Sequence, residues 1–172
     1  MRLWRMGAAL AVCGLGAMTW AWAQEKKAAE AMESQVRRAG FQYYVTTLLG
    51  AADEHLKSVR MPLYVVRDGV VTTRDEKAAR ALLAGFADRL KASKTPDEDK
   101  QTIVKGVIPI FDEASIQFIG ANTANLTFLI RHGKTEKEGD YLATLTLFRK
   151  DGDWKVIFET TDSAPVPPEY LK

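Results

Sequence analysis

Hydrophobic and polar positions alternate most clearly in two runs near the carboxyl end, Tyr141 to Arg149 and Trp154 to Thr161, joined by Lys150-Asp151-Gly152-Asp153. Asp-Gly suits a two-residue turn because both central residues need positive φ, which glycine accepts freely and aspartate tolerates. The turn sets a register: Arg149 with Trp154, Phe148 with Lys155, Leu147 with Val156, Thr146 with Ile157, Leu145 with Phe158 and Thr144 with Glu159. Because strand side chains alternate between faces, one face carries Ala143, Leu145, Leu147, Trp154, Val156 and Phe158. The other mixes Thr144, Thr146, Phe148, Lys155, Ile157, Glu159 and Thr161.

Upstream the period changes. From Lys27 to about Lys57, Phe41, Tyr44, Leu48, Leu49, Ala52 and Leu56 recur at three- and four-residue steps, which predicts helix bent or split at Gly40. Met61-Pro62 ends it, and Leu63 to Val66 with Val70 to Thr72 flank a second Asp-Gly turn at Asp68-Gly69. Thr73-Arg74-Asp75-Glu76 has the spacing of a capping box with Thr73 as cap. The helix it opens carries a stripe of Ala79, Leu82, Leu83, Phe86, Ala87 and Leu90 and stops near Ser93, ahead of Thr95-Pro96. Residues 97–114 read as a short helix or a loop, interrupted by Pro109. Ser115 to Ala121 and Ala124 to Arg131 alternate as strands, 133–139 is a charged connection, and the tail 164–172 reads as extended and proline-rich.

The first 23 residues hold Arg2, Arg5, an apolar stretch of about 15 residues and Ala21-Trp22-Ala23, then turn polar at Gln24. This is the pattern of a secretory signal peptide cleaved near Ala23, and its apolar stretch falls short of the roughly 20 residues a bilayer span needs. The expected product is exported, periplasmic or secreted, with one domain over 24–163. Cys13 stands where a lipoprotein box would put its cysteine, but Val12 replaces the small residue such a box prefers. Losing the leader's two arginines leaves 22 basic residues against 22 acidic ones. A formally neutral chain gives no reason to expect nucleic acid or an anionic membrane as partner. The chain's one cysteine goes with the leader, which excludes disulfides and thiolate metal sites from the remainder.

The helical first third, the short hairpin, the capped helix and the strands ending in Asp151-Gly152-Asp153-Trp154-Lys155-Val156 resemble the nuclear transport factor 2-like superfamily over roughly Phe41 to Ser163. The resemblance implies an α+β fold in which a curved antiparallel sheet wraps around helices into a cone with a pocket at its open end. The superfamily includes ketosteroid isomerases, SnoaL-like cyclases, scytalone dehydratases and non-enzymes. The stretch Phe148 to Val156 followed by Ser163-Ala164-Pro165 is also similar to the association domain of calmodulin-dependent kinase II, which oligomerises. Ketosteroid isomerases use a carboxylate base, a phenol and a protonated acid. Alignment on Tyr44-Val45 and Ala52-Asp53 puts the phenol on or near Tyr44, the base near Tyr64 or Val65, and the acid on Thr146. Only the phenol is present, which disfavours that activity.

The same alignment turns the mixed hairpin face inward, so Tyr44, Thr144, Thr146, Glu159 and Thr161 are the expected pocket for a small, partly apolar molecule; the opposite face is more apolar and would serve equally as core. With the mixed face inward, Leu145, Leu147, Trp154, Val156 and Phe158 are left together on the outer side, which predicts a homodimer through that face. His55 and His132 are too far apart to suggest a zinc site, and His55 reads as part of a solvated helix end. No metal or cofactor is expected. Neither a G-x-S-x-G nucleophile motif nor a glycine-rich phosphate loop occurs. A ligand-binding module, a cyclase, dehydratase or hydrolase using Tyr44 and Glu159, and a non-catalytic interaction module all remain open readings.

Overall fold

The computed structural model describes residues 4–130 and 140–162; the expected connection with His132, the tail 164–172 and the side chains of residues 1–23 lie outside the described residues. The chain divides into two compact units, Met1–Ser34 and Gln35–Lys172, with the division inside the first helix. Elements follow in the order α1 (Trp4–Leu48), α2 (Ala52–Ser58), β1 (Val59–Arg67), β2 (Val70–Arg74), α3 (Glu76–Lys91), α4 (Pro96–Asp112), β3 (Ser115–Gly120), β4 (Thr123–Ile130), β5 (Tyr141–Lys150) and β6 (Asp153–Asp162). Among the described residues no helix is long and apolar enough to cross a membrane.

The six strands form one sheet in the order β2-β1-β6-β5-β4-β3, antiparallel except where β1 runs parallel to β6. This corrects the expected cone. The α+β class holds, but β2 and β3 end the sheet as separate edges, and it is neither closed nor strongly curled. Both Asp-Gly turns form as read: Asp68, Gly69, Asp151 and Gly152 all take positive φ, and Arg67 pairs with Val70 as Lys150 pairs with Asp153.

One face of the sheet makes the core. Ala124, Leu126 and Phe128 of β4, Ala143, Leu145 and Leu147 of β5, and Val156 of β6 are buried with Tyr43 of α1, Leu83 of α3 and Phe111 of α4. The leucine, valine and phenylalanine side chains among these stabilise by about 1.5–3 kcal/mol each when fully removed from water. The face proposed for dimer contacts is therefore this core, with Leu145, Leu147, Trp154 and Val156 all inside it. Leu82 departs from its expected stripe and is exposed.

Three local readings change for identifiable reasons. Gly40 does not break α1, which is continuous through it. A Cβ there would lie 2.2 Å from Leu126 Cδ2 and 3.1 Å from Phe111 Cε1, so the missing side chain lets α1 approach β4 closely. The cap of α3 is Asp75 rather than Thr73: Thr73 is still paired with Tyr64 in β2, while Asp75 Oδ1 accepts from Ala78 N at 2.7 Å. Residues 96–112 form a full helix. Pro96 starts α4 where its missing N–H costs nothing, and Asp97, Glu98 and Asp99 meet the positive end of the helix dipole. Pro109 falls in the last turn, and Arg37 Nη1 donates to the carbonyls of Phe111, Asp112 and Ala114 just beyond it, satisfying groups that the helix end leaves open.

Candidate functional site

The register of β6 against β5 decides what the site contains. Pairing runs as expected from Lys150–Asp153 to Leu147–Val156, then passes directly to Thr146–Phe158. Ile157 is an extra residue on β6, and such a bulge exchanges the faces of everything beyond it. Glu159 now pairs with Leu145 and Thr161 with Ala143, so both stand on the core face. Phe158 pairs with Thr146 and moves to the opposite face.

Inside, α1 and α2 bring up a polar cluster. The Tyr43 hydroxyl donates to Glu159 Oε2 at 2.5 Å, with the phenol 2% exposed. Burial pushes the Tyr43 pKa well above its ordinary value, the charge and hydrogen bond of Glu159 push it the same way, and the Arg74 guanidinium at the end of β2 opposes them. The Tyr44 pKa is also raised, first by burial, then by the adjoining Tyr141 hydroxyl and by the charge of Glu159. The Tyr44 ring packs against Phe111 and Phe128 at centroid distances of 5.9 and 5.5 Å.

His55 is buried, not solvated as expected, and its ring lies 4.9 Å from that of Tyr43. The hydroxyls of Thr46 and Thr47 donate to the carbonyls of Gln42 and Tyr43 at 2.7 and 2.8 Å. With both hydroxyl protons engaged there, His55 Nδ1, 3.2 Å from Thr47 Oγ1, is assigned as the donor to it. The His55 pKa is lowered to about 4, chiefly by burial; the Tyr43 carbonyl works against the shift and the Arg74 charge adds to it. A neutral imidazole thus backs the phenol that holds the carboxylate.

Of the five expected pocket residues, Tyr44, Glu159 and Thr161 belong to the core side. Thr161 is buried, and its Oγ1 lies 3.5 Å from Arg67 Nε. Thr144 and Thr146 stand on the other face, bonded across the sheet to Thr127 and Asn125, each at 3.0 Å. The five do not converge, because the bulge turns only β6 over. Sequence reasoning passed over Tyr43, His55, Arg74 and Tyr141. The tyrosine pair at 43 and 44 was the available signal for the first, since two adjacent phenols on a helix can both reach a core side chain. Among the described residues no three metal-binding side chains gather. The cluster can offer a carboxylate, phenol hydroxyls and a guanidinium to a ligand, beside the rings of Phe111 and Phe128.

No protein-family model and no curated protein matches the sequence. Solved structures do match in fold. A candidate dehydratase of the NTF2-like family from Streptomyces avermitilis superposes with a TM-score of 0.51 at 16% identity, over 81% of this chain and 99% of that one. A candidate scytalone dehydratase from Novosphingobium aromaticivorans also gives 0.51, at 14% identity, over 79% and 86% of the two chains. At such identities the likeness concerns backbone architecture, and the chain has the nuclear transport factor 2-like fold.

Proposed function

We propose that this chain is an exported protein that binds a small, partly apolar molecule on the core side of its sheet, where Tyr43, Tyr44, Tyr141 and Glu159 gather. The observation that carries this reading is the Tyr43–Glu159 hydrogen bond among aromatic rings: a carboxylate drawn toward the core adds an oriented acceptor to otherwise apolar walls. Ligand pockets commonly combine such walls with a few convergent polar groups. Hydroxyl- or amine-bearing molecules with an apolar body fit that chemistry. A thermal-shift metabolite screen on wild type, Glu159→Gln and Tyr44→Phe tests it. The expected result is a set of hits whose stabilisation shrinks in both variants, and hits that act identically on all three proteins would remove the site.

Catalysis is the second reading, favoured by the same carboxylate and by the dehydratase assignments of the two fold relatives. Glu159 would accept a proton from carbon and Tyr44 would donate to a departing oxygen. Turnover of a screen hit, followed by mass spectrometry and abolished in Glu159→Gln, would distinguish it from binding alone. The expected homodimer is proposed on the face carrying Thr144, Thr146 and Phe158, since the side chains first assigned to it are largely core. Light scattering on wild type and Phe158→Glu tests that assignment, and intact mass of the exported protein tests cleavage after Ala23.

A further inference from the structure

Two depressions adjoin where the β5–β6 turn passes the start of β1, with volumes of about 680 and 410 Å³. Arg60, Phe148, Lys150 and Asp151 line both, and Lys155 and Asp153 line the second. The Arg60 guanidinium lies over the Phe148 ring, 5.7 Å from its centroid. Stacking on a ring restrains a guanidinium while leaving the N–H donors at its edge free to bond.

Charge is unevenly used in this groove. Among the described residues Arg60, Lys150 and Lys155 form no ion pair, although Asp151 and Asp153 share the groove with them. Arg149 is engaged differently, donating from Nε to Asn122 Oδ1 at 3.3 Å and lying over the Trp154 ring. Four cations against two carboxylates leave a local positive excess. A chain that is formally neutral beyond its leader concentrates positive charge here.

We propose that this groove binds a small polyvalent anion of the phosphate-ester class, with Arg60 gripping two phosphate oxygens through its planar fork and Lys150 and Lys155 acting as point charges. A polyvalent anion suits the groove better than a monocarboxylate because several separate cations lack carboxylate partners. Guanidinium and phosphate match in a bidentate geometry that ammonium groups do not reproduce. The site is independent of the Tyr43–Glu159 cluster, so either proposal can fail alone.

The test is titration of the purified protein with inorganic pyrophosphate, read by calorimetry at low and high salt, with vesicles of phosphatidylglycerol or phosphatidylcholine as a second arm. Saturable binding that weakens with salt is expected, with loss of about tenfold or more in Arg60→Gln and in Lys155→Gln. Arg60→Lys should recover only part, because it restores charge without the fork, and Lys91→Gln on α3 should bind as wild type. Sedimentation with phosphatidylglycerol vesicles alone, lost in Arg60→Gln, would identify a lipid headgroup as the source; pyrophosphate binding without vesicle binding would identify a soluble ester. No saturable binding in either arm, or binding unchanged in both Arg60→Gln and Lys155→Gln, would overturn the proposal.

Discussion

Tyr43 and Glu159, 116 positions apart, share a hydrogen bond of 2.5 Å that ties α1 to β6 inside the fold. Removing the donor leaves a carboxylate facing the core without its phenol, and a lost bond to a charged group costs about 1.5–3 kcal/mol. Tyr43→Phe, which keeps the ring against His55, is therefore expected to lower stability by an amount in that range. Urea unfolding at pH 7 measures it. A variant as stable as wild type would mean that water replaces the phenol at no cost.

Alkaline stability follows from the same residue. The Tyr43 pKa is raised in the folded state, so the unfolded chain releases this proton first as pH rises. Its contribution is complete below the unfolded tyrosine value near 10 and falls above it. Tyr44 shifts in the same direction and adds to the loss. Wild type should lose stability between about pH 10 and 11.5, more steeply than Tyr43→Phe or Tyr44→Phe. Parallel curves would show that neither phenol is linked to folding.

His55 sets the acid side. Its folded pKa of about 4 lies below the ordinary value of 6.5, so the unfolded chain binds the proton first as pH falls. Stability from this group is present above pH 6.5 and lost on descent toward 4. The loss is expected to be on the order of 3 kcal/mol, since 6.5 and 4 lie two and a half tenfold steps apart and each such step in proton affinity is worth about 1.4 kcal/mol. Comparing wild type with His55→Gln from pH 7 to 4 checks it: the variant starts lower and shows a flatter decline, and an equally steep one would assign the acid loss to carboxylates.

The sequence exposed the hairpins better than the site they build. Asp68-Gly69 and Asp151-Gly152 carry their own backbone chemistry, so both turns and the register through Leu147–Val156 could be written down beforehand. Register failed at Val156-Ile157-Phe158, where three consecutive apolar residues conceal which one is extra. That uncertainty put Glu159 and Thr161 on one face with Thr144 and Thr146, while the family alignment turned that mixed face inward and so made a dimer face of Leu145, Leu147, Trp154 and Val156, which are core. Helix α4 was hidden because Pro109 reads as a breaker until its place in the last turn is known. His55 reads as solvated because it follows the charged Asp53 and Glu54 at a helix end, whereas the hydroxyls that receive its ring come from Thr46 and Thr47 on the preceding helix.

Helix α3 offers a test of its observed start. Asp75 caps Ala78 N, whereas Thr73 belongs to β2. Asp75→Ala should cost about 1 kcal/mol, the usual loss for an N-cap side chain. Thr73→Ala should change stability by less than about 0.5 kcal/mol, as for a surface position outside a cap. Urea midpoints for the two variants decide it. A larger loss for Thr73→Ala would return the cap to the position that the sequence spacing suggested.

Glycines within helices give the sharpest contrast in packing. Alanine in place of an exposed helical glycine gains about 0.5–1 kcal/mol by restricting the unfolded chain and favouring helix. Gly85 of α3 and Gly106 of α4 meet nothing within 4 Å of an added Cβ, so Gly85→Ala and Gly106→Ala should each stabilise by about that amount. Gly40 has the same propensity to gain, but its added Cβ would sit 2.2 Å from Leu126 Cδ2, and Leu126 is fully buried. Overpacking a core costs about 1–3 kcal/mol, which outweighs the propensity gain. Gly40→Ala should destabilise by about 1–2 kcal/mol net, and adding Leu126→Val, which removes a methylene's worth of volume at the clash, should recover part of that loss. The double-mutant cycle in urea measures the coupling. Additive losses would mean that α1 moves away from β4 as a unit, and a stabilised Gly40→Ala would show that the close approach of α1 to β4 does not depend on the missing side chain.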